Sequence, residues 1–348
     1  MDELRVLSIY EGFFSGGARI VHSDVVLGLH EGGQRHAVLT VNGEMYREET
    51  RQRMEDDVCY RSLTAAGVPV TSLGRTPGTP GGPETFTGPE LAATTRAVAD
   101  GRIAAGICCA ESTRAAYAAA GIPAGLLHVI PNGVDLLRFR PDPFRRALLR
   151  TSLGIPERAP VIVFAARYAT MKNVPLFLRA ARAWLRRQPD GHVLMCGAGM
   201  TRANDCLRED IATAFGEDAP LADRLSLLGV RHDMETVYAA ADVVSLTSAS
   251  GEAAPLCLIE GMMCGAVPVA TDVGDSASIV TGHGFLTPPD PEAIALAWSE
   301  AVARGAEFAP ALALSRERFS RTRMIAAYAA LIEQVRSRSG RVPLPEPF

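Results

Sequence analysis

Two glutamates, Glu252 and Glu260, stand eight positions apart between Asp242 and Asp275. The run 243–247 is short, apolar and β-branched, which predicts a buried parallel strand. A loop of small residues leads to a predicted helix over 256–264, and residues 267–271 predict the next strand. One carboxylate therefore lies just before the helix of a βαβ unit, and the other lies inside that helix.

The start of this helix has the composition of an anion site. Pro255 suits the first helical position, where its missing N–H costs nothing. The free N–H groups of a helix N-terminus and the positive end of its dipole attract phosphate. We expect a phosphate group to bind there and Glu260 to reach ribose hydroxyls beside it.

Two cations follow another predicted strand. The run 160–166 is apolar, and Arg167 and Lys172 come between it and a predicted helix over 174–186. Of the 35 basic residues 34 are arginine, so Lys172 is the only lysine. An ammonium is a compact point charge suited to phosphate, which arginine does not reproduce. Both cations are expected at the C-terminal edge of a parallel sheet, where such folds bind ligands.

Composition narrows the classes of protein that need to be considered. A chain of 348 residues, 47% apolar and 21% charged, is typical of a globular protein with two domains. Residues 1–127 carry a net charge of −4 and residues 128–348 carry none, which disfavours nucleic acid and anionic membranes as partners. Seven cysteines without a C-x-x-C pair predict reduced, buried thiols. No signal peptide or membrane-spanning run is expected, and the predicted location is the cytoplasm.

The remaining elements are predicted from pattern. Strands are expected over 4–10 and 34–41, with Gly16 and Gly17 in the turn before a helix over 19–30. Residues 42–57 are highly charged and predict a surface helix or loop. The Pro- and Gly-rich stretch 74–90 predicts an irregular loop, either an acceptor lid or a passive surface loop. Near the C-terminus we expect a strand over 279–286 and an amphipathic helix over 315–336.

The motif S-x-x-x-E-x-x-P-L-x-x-x-E-G-M-x-x-G-x-x-P-V-A-T-D-x-G, which contains Glu252 and Glu260, resembles the donor-site motif of retaining glycosyltransferases of family 4. The resemblance is strong over residues 128–300. It implies an α/β fold of the GT-B type, with two doubly wound, Rossmann-like domains facing across a cleft. The expected parts are an acceptor-side domain (1–140), a nucleotide-sugar-binding domain (141–314) and a helix (315–338) that packs back on the first domain.

The resemblance also implies roles for individual residues. Arg167 and Lys172 would hold the leaving diphosphate, and Glu252 would bind hydroxyls of the donor sugar. Other residues would contact the rest of the donor: Gly16, Gly17, Gly197, Arg231, Ala254, Pro255, Leu256 and Glu260. No D-x-D loop or zinc-type spacing is present, so neither a metal nor a cofactor is expected.

The implied activity is hexosyl transfer from a nucleotide-sugar, most simply a UDP-sugar, to a hydroxyl of a soluble small-molecule acceptor. The acidic first half favours a cationic acceptor. The first domain is shorter than usual for the family, and no histidine-bearing strand is recognisable between residues 90 and 102, which leaves His22 as the nearest histidine. Two alternatives stay open: a sugar-nucleotide epimerase or phosphorylase on the same fold, and a non-catalytic nucleotide-binding partner of another transferase.

Overall fold

The computed structural model describes residues 5–10, 12–14, 16–47, 50–75 and 88–338. Its strands are β1 (Arg5–Tyr10), β2 (Arg35–Asn42), β3 (Glu44–Arg47), β4 (Thr50–Arg53), β5 (Val70–Arg75), β6 (Gly106–Cys108), β7 (Leu127–Val129), β8 (Val161–Ala165), β9 (His192–Cys196), β10 (Leu225–Gly229), β11 (Val243–Leu246), β12 (Val267–Thr271) and β13 (Phe285–Thr287). Its α-helices are α1 (Gly17–Glu31), α2 (Val58–Ala65), α3 (Gly88–Ala99), α4 (Glu111–Ala119), α5 (Pro143–Ser152), α6 (Val174–Arg187), α7 (Asp205–Phe215), α8 (Met234–Ala239), α9 (Leu256–Met263), α10 (Ser276–Val280), α11 (Pro291–Ala303), α12 (Gly305–Ser315) and α13 (Arg321–Arg338).

The chain forms two compact units. The first contains residues 1–108, 114–133 and 321–348, and the second contains residues 109–113 and 134–320. In the described part of the first unit, β1, β2 and β5 form a parallel sheet, and α13 packs against α1. A second pair of parallel strands, β6 and β7, and the hairpin of β3 and β4 complete its strands.

The second unit is built around one parallel sheet of six strands in the order β10-β9-β8-β11-β12-β13. The residues of β8 alternate between two cores: Val161 and Val163 belong to one cluster, and Ile162 and Phe164 belong to the other. All four are fully buried. Because successive side chains of a strand point to opposite faces, β8 is covered on both sides, as an apolar run of this length predicts.

Several predictions of elements need correction. Residues 44–47 and 50–53 pair as the antiparallel strands β3 and β4, where we expected a surface helix or loop. The expected strand over 279–286 is instead the end of α10 followed by the shorter β13. The helix expected from residue 315 begins at Arg321, after α12 and a 3₁₀ turn over Glu317–Phe319. Most of the stretch 74–90 lies outside the described residues.

All seven cysteines are free thiols, but only four are buried, and Cys206 is exposed. Within the described residues, no helix is long and apolar enough to cross a bilayer.

Candidate active site

The order of the strands places the site. Strand β8 comes first in the chain, β9 and β10 follow on one side of it, and β11 to β13 follow on the other. The chain therefore reverses direction across the sheet between β8 and β11. At such a switch point the loops after the two strands diverge and leave a ligand-sized crevice at their carboxyl ends. The loop after β8 carries Arg167 and Lys172, and the loop after β11 carries Glu252.

Arg167 and Lys172 lie in very different electrostatic surroundings. The Arg167 guanidinium donates to the sulfur of Met171 at 3.4 Å, and no described carboxylate lies within ion-pair distance of it. A thioether is a weak acceptor, so the positive charge of Arg167 is left nearly uncompensated. Lys172 ends a 3₁₀ turn over Thr170–Lys172, and its Nζ forms an ion pair with Oε1 of Glu252.

Glu252 is held on two sides. Besides Lys172, the Ser248 hydroxyl donates to the same oxygen, Oε1, at 2.6 Å. Ser248 is in turn fixed by Thr271, whose hydroxyl donates to the Ser248 carbonyl at 2.7 Å. The side chains of Lys172 and Glu252 are only 17% and 7% exposed. Lys172 is thus a partly buried, paired ammonium.

Gly274 lies so close to the backbone of Glu252 that no side chain would fit at its position. Gly274 has φ +62°, and a Cβ atom there would lie 2.0 Å from the carbonyl oxygen of Glu252. The next residue, Asp275, donates its N–H to the Ala253 carbonyl at 2.8 Å. The chain after β12 therefore fixes the loop that presents Glu252.

The expected anion site at α9 is shifted by one residue. The helix begins at Leu256, and Pro255, with φ −65° and ψ 114°, is the residue before it and not its first helical residue. Ala254 lies just before Pro255 in the same loop. The early N–H groups of α9 have no side-chain cap, so they remain a polar feature at this edge of the sheet.

Glu260 lies in the second turn of α9 and has a partner that the sequence did not reveal. The side chain of Tyr238, on α8, lies close enough to Glu260 for the charge of that carboxylate to act on the phenol. Tyr238 is 1% exposed. Its pKa is raised well above the ordinary value, first by burial and then by the charge of Glu260. The phenol of Tyr238 therefore stays protonated beside the carboxylate.

The loops after β9 and β10 contribute Gly197 and Arg231. Gly197 has φ +138°, and a Cβ atom there would lie 2.1 Å from the carbonyl oxygen of Ala166, so the loop passes directly over the start of the Arg167 segment. Arg231 makes a two-pronged ion pair with Asp233, at 2.8 and 2.5 Å. This pair raises the pKa of Arg231 and lowers that of Asp233.

Gly16 and Gly17 belong to the first unit, where Gly16 precedes α1 and Gly17 is its first residue. His22, in the same helix, lies with its ring 5.2 Å from that of Tyr10. Burial and then the charge of Arg19 lower the pKa of His22 to about 4. The ring is therefore a neutral packing group at neutral pH.

The structure brings Arg167, Lys172, Glu252 and Gly197 together at one edge of the second unit. Sequence reasoning missed three residues that lie beside predicted site residues: Ser248 at Glu252, Met171 at Arg167 and Tyr238 at Glu260. Ser248 had a signal, since it is the first residue of the motif quoted above, whereas Met171 and Tyr238 had none. No group of three or more metal-ligating His, Cys, Asp or Glu side chains occurs among the described residues.

Comparison with known sequences finds a match to one family model and relatives that align with part of the chain. Residues 159–304 match the family model described as glycosyl transferases group 1. The D-inositol 3-phosphate glycosyltransferase of Nocardia farcinica is 30% identical over 173 residues, which is 49% of this chain and 38% of that protein. The protein of the same name from Saccharomonospora viridis is 34% identical over 191 residues, covering 51% of this chain and 41% of its own. The chain thus covers well under two thirds of either relative.

Solved structures resemble the chain over nearly its whole length. Anabaena HepE in complex with UDP has a TM-score of 0.75 at 18% identity and covers 95% of this chain and 100% of its own. The complex of HepE with UDP-glucose gives 0.73 at 20% identity, over 95% and 100%. Sucrose-phosphate synthase from Thermosynechococcus elongatus gives 0.69 at 18%, over 96% and 100%. The fold of this chain is therefore GT-B, as predicted, and its residues 159–304 match the group 1 glycosyltransferases.

Proposed function

We propose that this chain is a retaining glycosyltransferase of family 4, which transfers a hexosyl group from a UDP-sugar to a hydroxyl of a soluble small-molecule acceptor. The observation that carries the proposal is the cluster of Arg167, Lys172 and Glu252 at the switch point of the six-stranded sheet. Two cations and one carboxylate at this point fit a ligand with a diphosphate beside a sugar. The family match over 159–304 covers all three residues.

The charges suit the two ends of such a donor. Arg167, with no described carboxylate within ion-pair distance, supplies a positive charge for the diphosphate. Lys172 is held beside Glu252 and leaves that carboxylate when the more highly charged diphosphate arrives. Glu252, still held by Ser248, then accepts hydrogen bonds from hydroxyls of the donor sugar. The N–H groups in the first turn of α9, which begins at Leu256 after Ala254 and Pro255, add to the positive end of the site.

The rest of the donor follows from the same placement. Glu260, which lies beside Tyr238, accepts hydrogen bonds from the ribose hydroxyls. The loops carrying Gly197 and Arg231 line the nucleotide side, with Arg231 fixed by Asp233. Because glycine has no side chain to cover its backbone N–H, Gly16 and Gly17 are kept as proposed donor contacts on the strength of the family resemblance alone.

The proposed sugar transfer needs no reagent besides the donor and the acceptor. The bond between the anomeric carbon and the phosphate oxygen breaks, and the leaving UDP is stabilised by Arg167 and Lys172. The acceptor hydroxyl attacks the anomeric carbon from the same face and gives its proton to the departing phosphate oxygen. The anomeric configuration is retained, and Glu252 orients the sugar and forms no covalent bond. The two cations neutralise the diphosphate, and we propose that no metal is required.

The substrates are proposed from the relatives and from charge. HepE was solved with UDP and with UDP-glucose, which supports a uridine donor with a hexose. The curated relatives are named for an inositol phosphate acceptor, which supports a small polyol-like acceptor. The net charge of −4 on residues 1–127 favours a cationic acceptor over a phosphorylated one. Neither nucleic acid nor a membrane is a proposed partner, and the proposed location is the cytoplasm.

Calorimetric titration with UDP, GDP and ADP in the presence of EDTA tests the donor site. We expect UDP to bind best, and the Arg167→Gln variant to bind it roughly tenfold more weakly, which is the loss of one charge-assisted contact. The Arg187→Gln variant is the matched control, because Arg187 pairs with Glu292 on the surface, 43% exposed. No binding of any nucleotide would contradict the donor site and favour a non-catalytic protein.

Product analysis tests the chemistry. We expect UDP-glucose and a polyol acceptor to give an α-linked product, detected by the NMR coupling of its anomeric proton. A β-linked product would contradict retention. Epimer formation, or phosphate-dependent release of glucose 1-phosphate, in a control without acceptor would instead identify an epimerase or a phosphorylase.

A further inference from the structure

The segment between β8 and α6, which carries both cations, has one side-chain anchor to a helix of the same unit. The hydroxyl of Tyr168, the residue after Arg167, donates to Oδ2 of Asp210 at 2.8 Å. Asp210 lies on α7, forty-two positions along the chain. Neither residue belongs to the motif that resembles the donor site, and the proposed transfer gives neither a contact with substrate.

The acceptor of this hydrogen bond is on a fixed element. Helix α7 is secured by Leu207 and Phe215, which are 0% and 1% exposed. Its N-terminus is capped by Asn204, whose side chain accepts from the Leu207 N–H at 3.3 Å. The Asn204 amide also donates to the carbonyl of Gly199 at 2.9 Å, so α7 and the loop after β9 are held together.

The backbone of Tyr168 is held by that same loop. Its N–H donates to the Ala198 carbonyl at 2.7 Å. At Gly199 a Cβ atom would lie 2.8 Å from the Tyr168 Cβ, so the two residues are in direct contact. Tyr168 is thus held at two points, its main-chain N–H and its side-chain hydroxyl. The two points lie about one side-chain length apart, so the residue cannot turn while both contacts persist.

Arg167 depends on this arrangement, because its own guanidinium has only a weak acceptor. The contact with the Met171 sulfur at 3.4 Å does not fix the direction of the side chain. The course of the chain at Arg167 is set by its neighbours, Ala166 and Tyr168. Ala166 is tied to β9, where its N–H donates to the Cys196 carbonyl at 2.9 Å.

We infer that Tyr168 and Asp210 form a positioning pair, which aims Arg167 at the diphosphate through the main chain, and this inference rests on the proposed transferase function. Burial and then the hydrogen bond to Asp210 raise the pKa of Tyr168, so the hydroxyl remains a donor. Because a misplacement of about 1 Å in a catalytic group can slow a reaction about 100-fold, a shift of Arg167 lowers the rate even when the fold is intact.

The test uses the full chain and four variants. The Tyr168→Phe variant removes only the hydroxyl, and the Asp210→Leu variant removes only the acceptor. We expect each to lower kcat roughly tenfold, with KM for the acceptor unchanged. The Asp210→Asn variant keeps an acceptor oxygen and should recover most of the activity. The Tyr168→Phe/Asp210→Leu double variant should be no worse than either single variant, because one interaction is lost in all three.

Ser245→Ala is the matched control. Ser245 accepts from the Trp298 Nε1 at 3.0 Å, so its loss also removes one side-chain hydrogen bond from the same unit, but on a buried face of the sheet. We expect it to lower Tm without changing kcat. A Tyr168→Phe variant with normal kcat, or one whose kcat falls no more than that of Ser245→Ala at equal Tm, would overturn the positioning role.

The proposed transferase function is tested separately by the unmodified chain. If that chain transfers no sugar from any donor, the function fails, and the positioning pair is then tested by UDP calorimetry alone. A threefold or greater loss of UDP affinity in the Tyr168→Phe variant would support the pair, and an unchanged affinity would overturn it.

Discussion

At the scale of single residues, Lys172 can be tested for a role beyond its ion pair. Because its charge would stabilise the leaving diphosphate, the Lys172→Ala change should lower kcat by about 100-fold or more. It also leaves Glu252 in a partly buried place without its counter-charge, so a loss of stability of about 1–3 kcal/mol is expected. Steady-state kinetics and urea unfolding measure the two effects.

The Lys172→Arg variant provides the control for charge. It should keep most of the stability but only part of the activity, since a planar guanidinium does not replace a compact ammonium. Full activity in the arginine variant would contradict a specific role for the lysine.

Glu260 can be separated from its structural partner by a conservative change. Glu260→Gln keeps the size of the side chain beside Tyr238 but loses the charge that ribose hydroxyls prefer. We expect the Kd for UDP to rise roughly tenfold, with little change in Tm. Glu307→Gln, on the surface beside Arg304, is the control and should leave the Kd unchanged. Equal UDP affinity in the Glu260→Gln and unmodified chains would rule out the ribose contact.

At the scale of elements, the loop that presents Glu252 depends on the empty space at Gly274. The Gly274→Ala change would place a methyl group against the Glu252 carbonyl and force the loop away. We expect kcat to fall by about 100-fold, because even a small displacement of a positioned group is costly.

Gly282→Ala is the matched control for this change. Gly282 also has a positive φ, +82°, but nothing lies within 4 Å of a Cβ atom there. It should show the strain of the backbone alone, as a lower Tm with normal kcat. If the two variants lose equal activity, the close approach at Gly274 is not what matters.

A buried arginine connects α5 to the six-stranded sheet of the second unit. Arg150 is 1% exposed, and its guanidinium donates to the carbonyls of Ala240 and Ala159 and to Asp242. Burial, partly offset by Asp242, lowers its pKa. Asp242→Ala would leave this charge uncompensated, so the free energy of unfolding should fall by about 3 kcal/mol in urea.

The exposed pair of Arg187 and Glu292 gives the comparison. Removing Glu292 should cost less than about 1 kcal/mol, because the pair is 43% and 60% exposed. A similar loss in both cases would mean that Asp242 does not compensate Arg150.

The strands and helices whose residues show one clear pattern were predictable from the sequence. Strand β12 has the predicted bounds, β8 is one residue shorter at each end, and α6 is one residue longer at its C-terminal end, because continuous burial defines these elements. The hairpin of β3 and β4 was not predictable, because its strands are short and charged. There Arg51 donates to Glu44 across the hairpin at 2.8 Å, a contact that local propensity does not contain.

The site also has a part that the sequence could predict and a part that it could not. Glu252, Lys172 and Arg167 could be named because their types and spacing carry chemistry. The pairing of Lys172 with Glu252, eighty positions later, and of Tyr168 with Asp210 arises only when the strands are ordered in the sheet. Spacing along the chain says which groups are available, and the switch point decides which of them meet.

At the scale of the whole molecule, the first unit should be the more sensitive to acid. The pKa of His22 is lowered from 6.5 to about 4, chiefly by burial. Between these two values the unfolded chain takes up a proton that the folded chain does not, so stability falls as the pH falls through this range. The loss is at most about 3 kcal/mol by pH 4.

Urea unfolding at pH 7 and pH 5, followed by hydrogen exchange, measures this effect by unit. We expect amides of α1 and β1 to lose protection at pH 5 before those of β8 and β11. The His22→Gln variant should flatten the pH dependence, whereas His283→Gln, in the second unit, should leave that of the first unit unchanged. A pH dependence that is the same in the His22→Gln variant would refute this assignment.

The ion pair between Lys172 and Glu252 has a practical consequence. Because the chain contains a single lysine, its ammonium is the only side-chain amine that a reductive methylation reagent can label. Methylation keeps the positive charge, so the pair with Glu252 should persist. A ¹³C-labelled sample would then show one lysine methyl signal, and its shift on adding UDP would report the departure of that amine from its carboxylate.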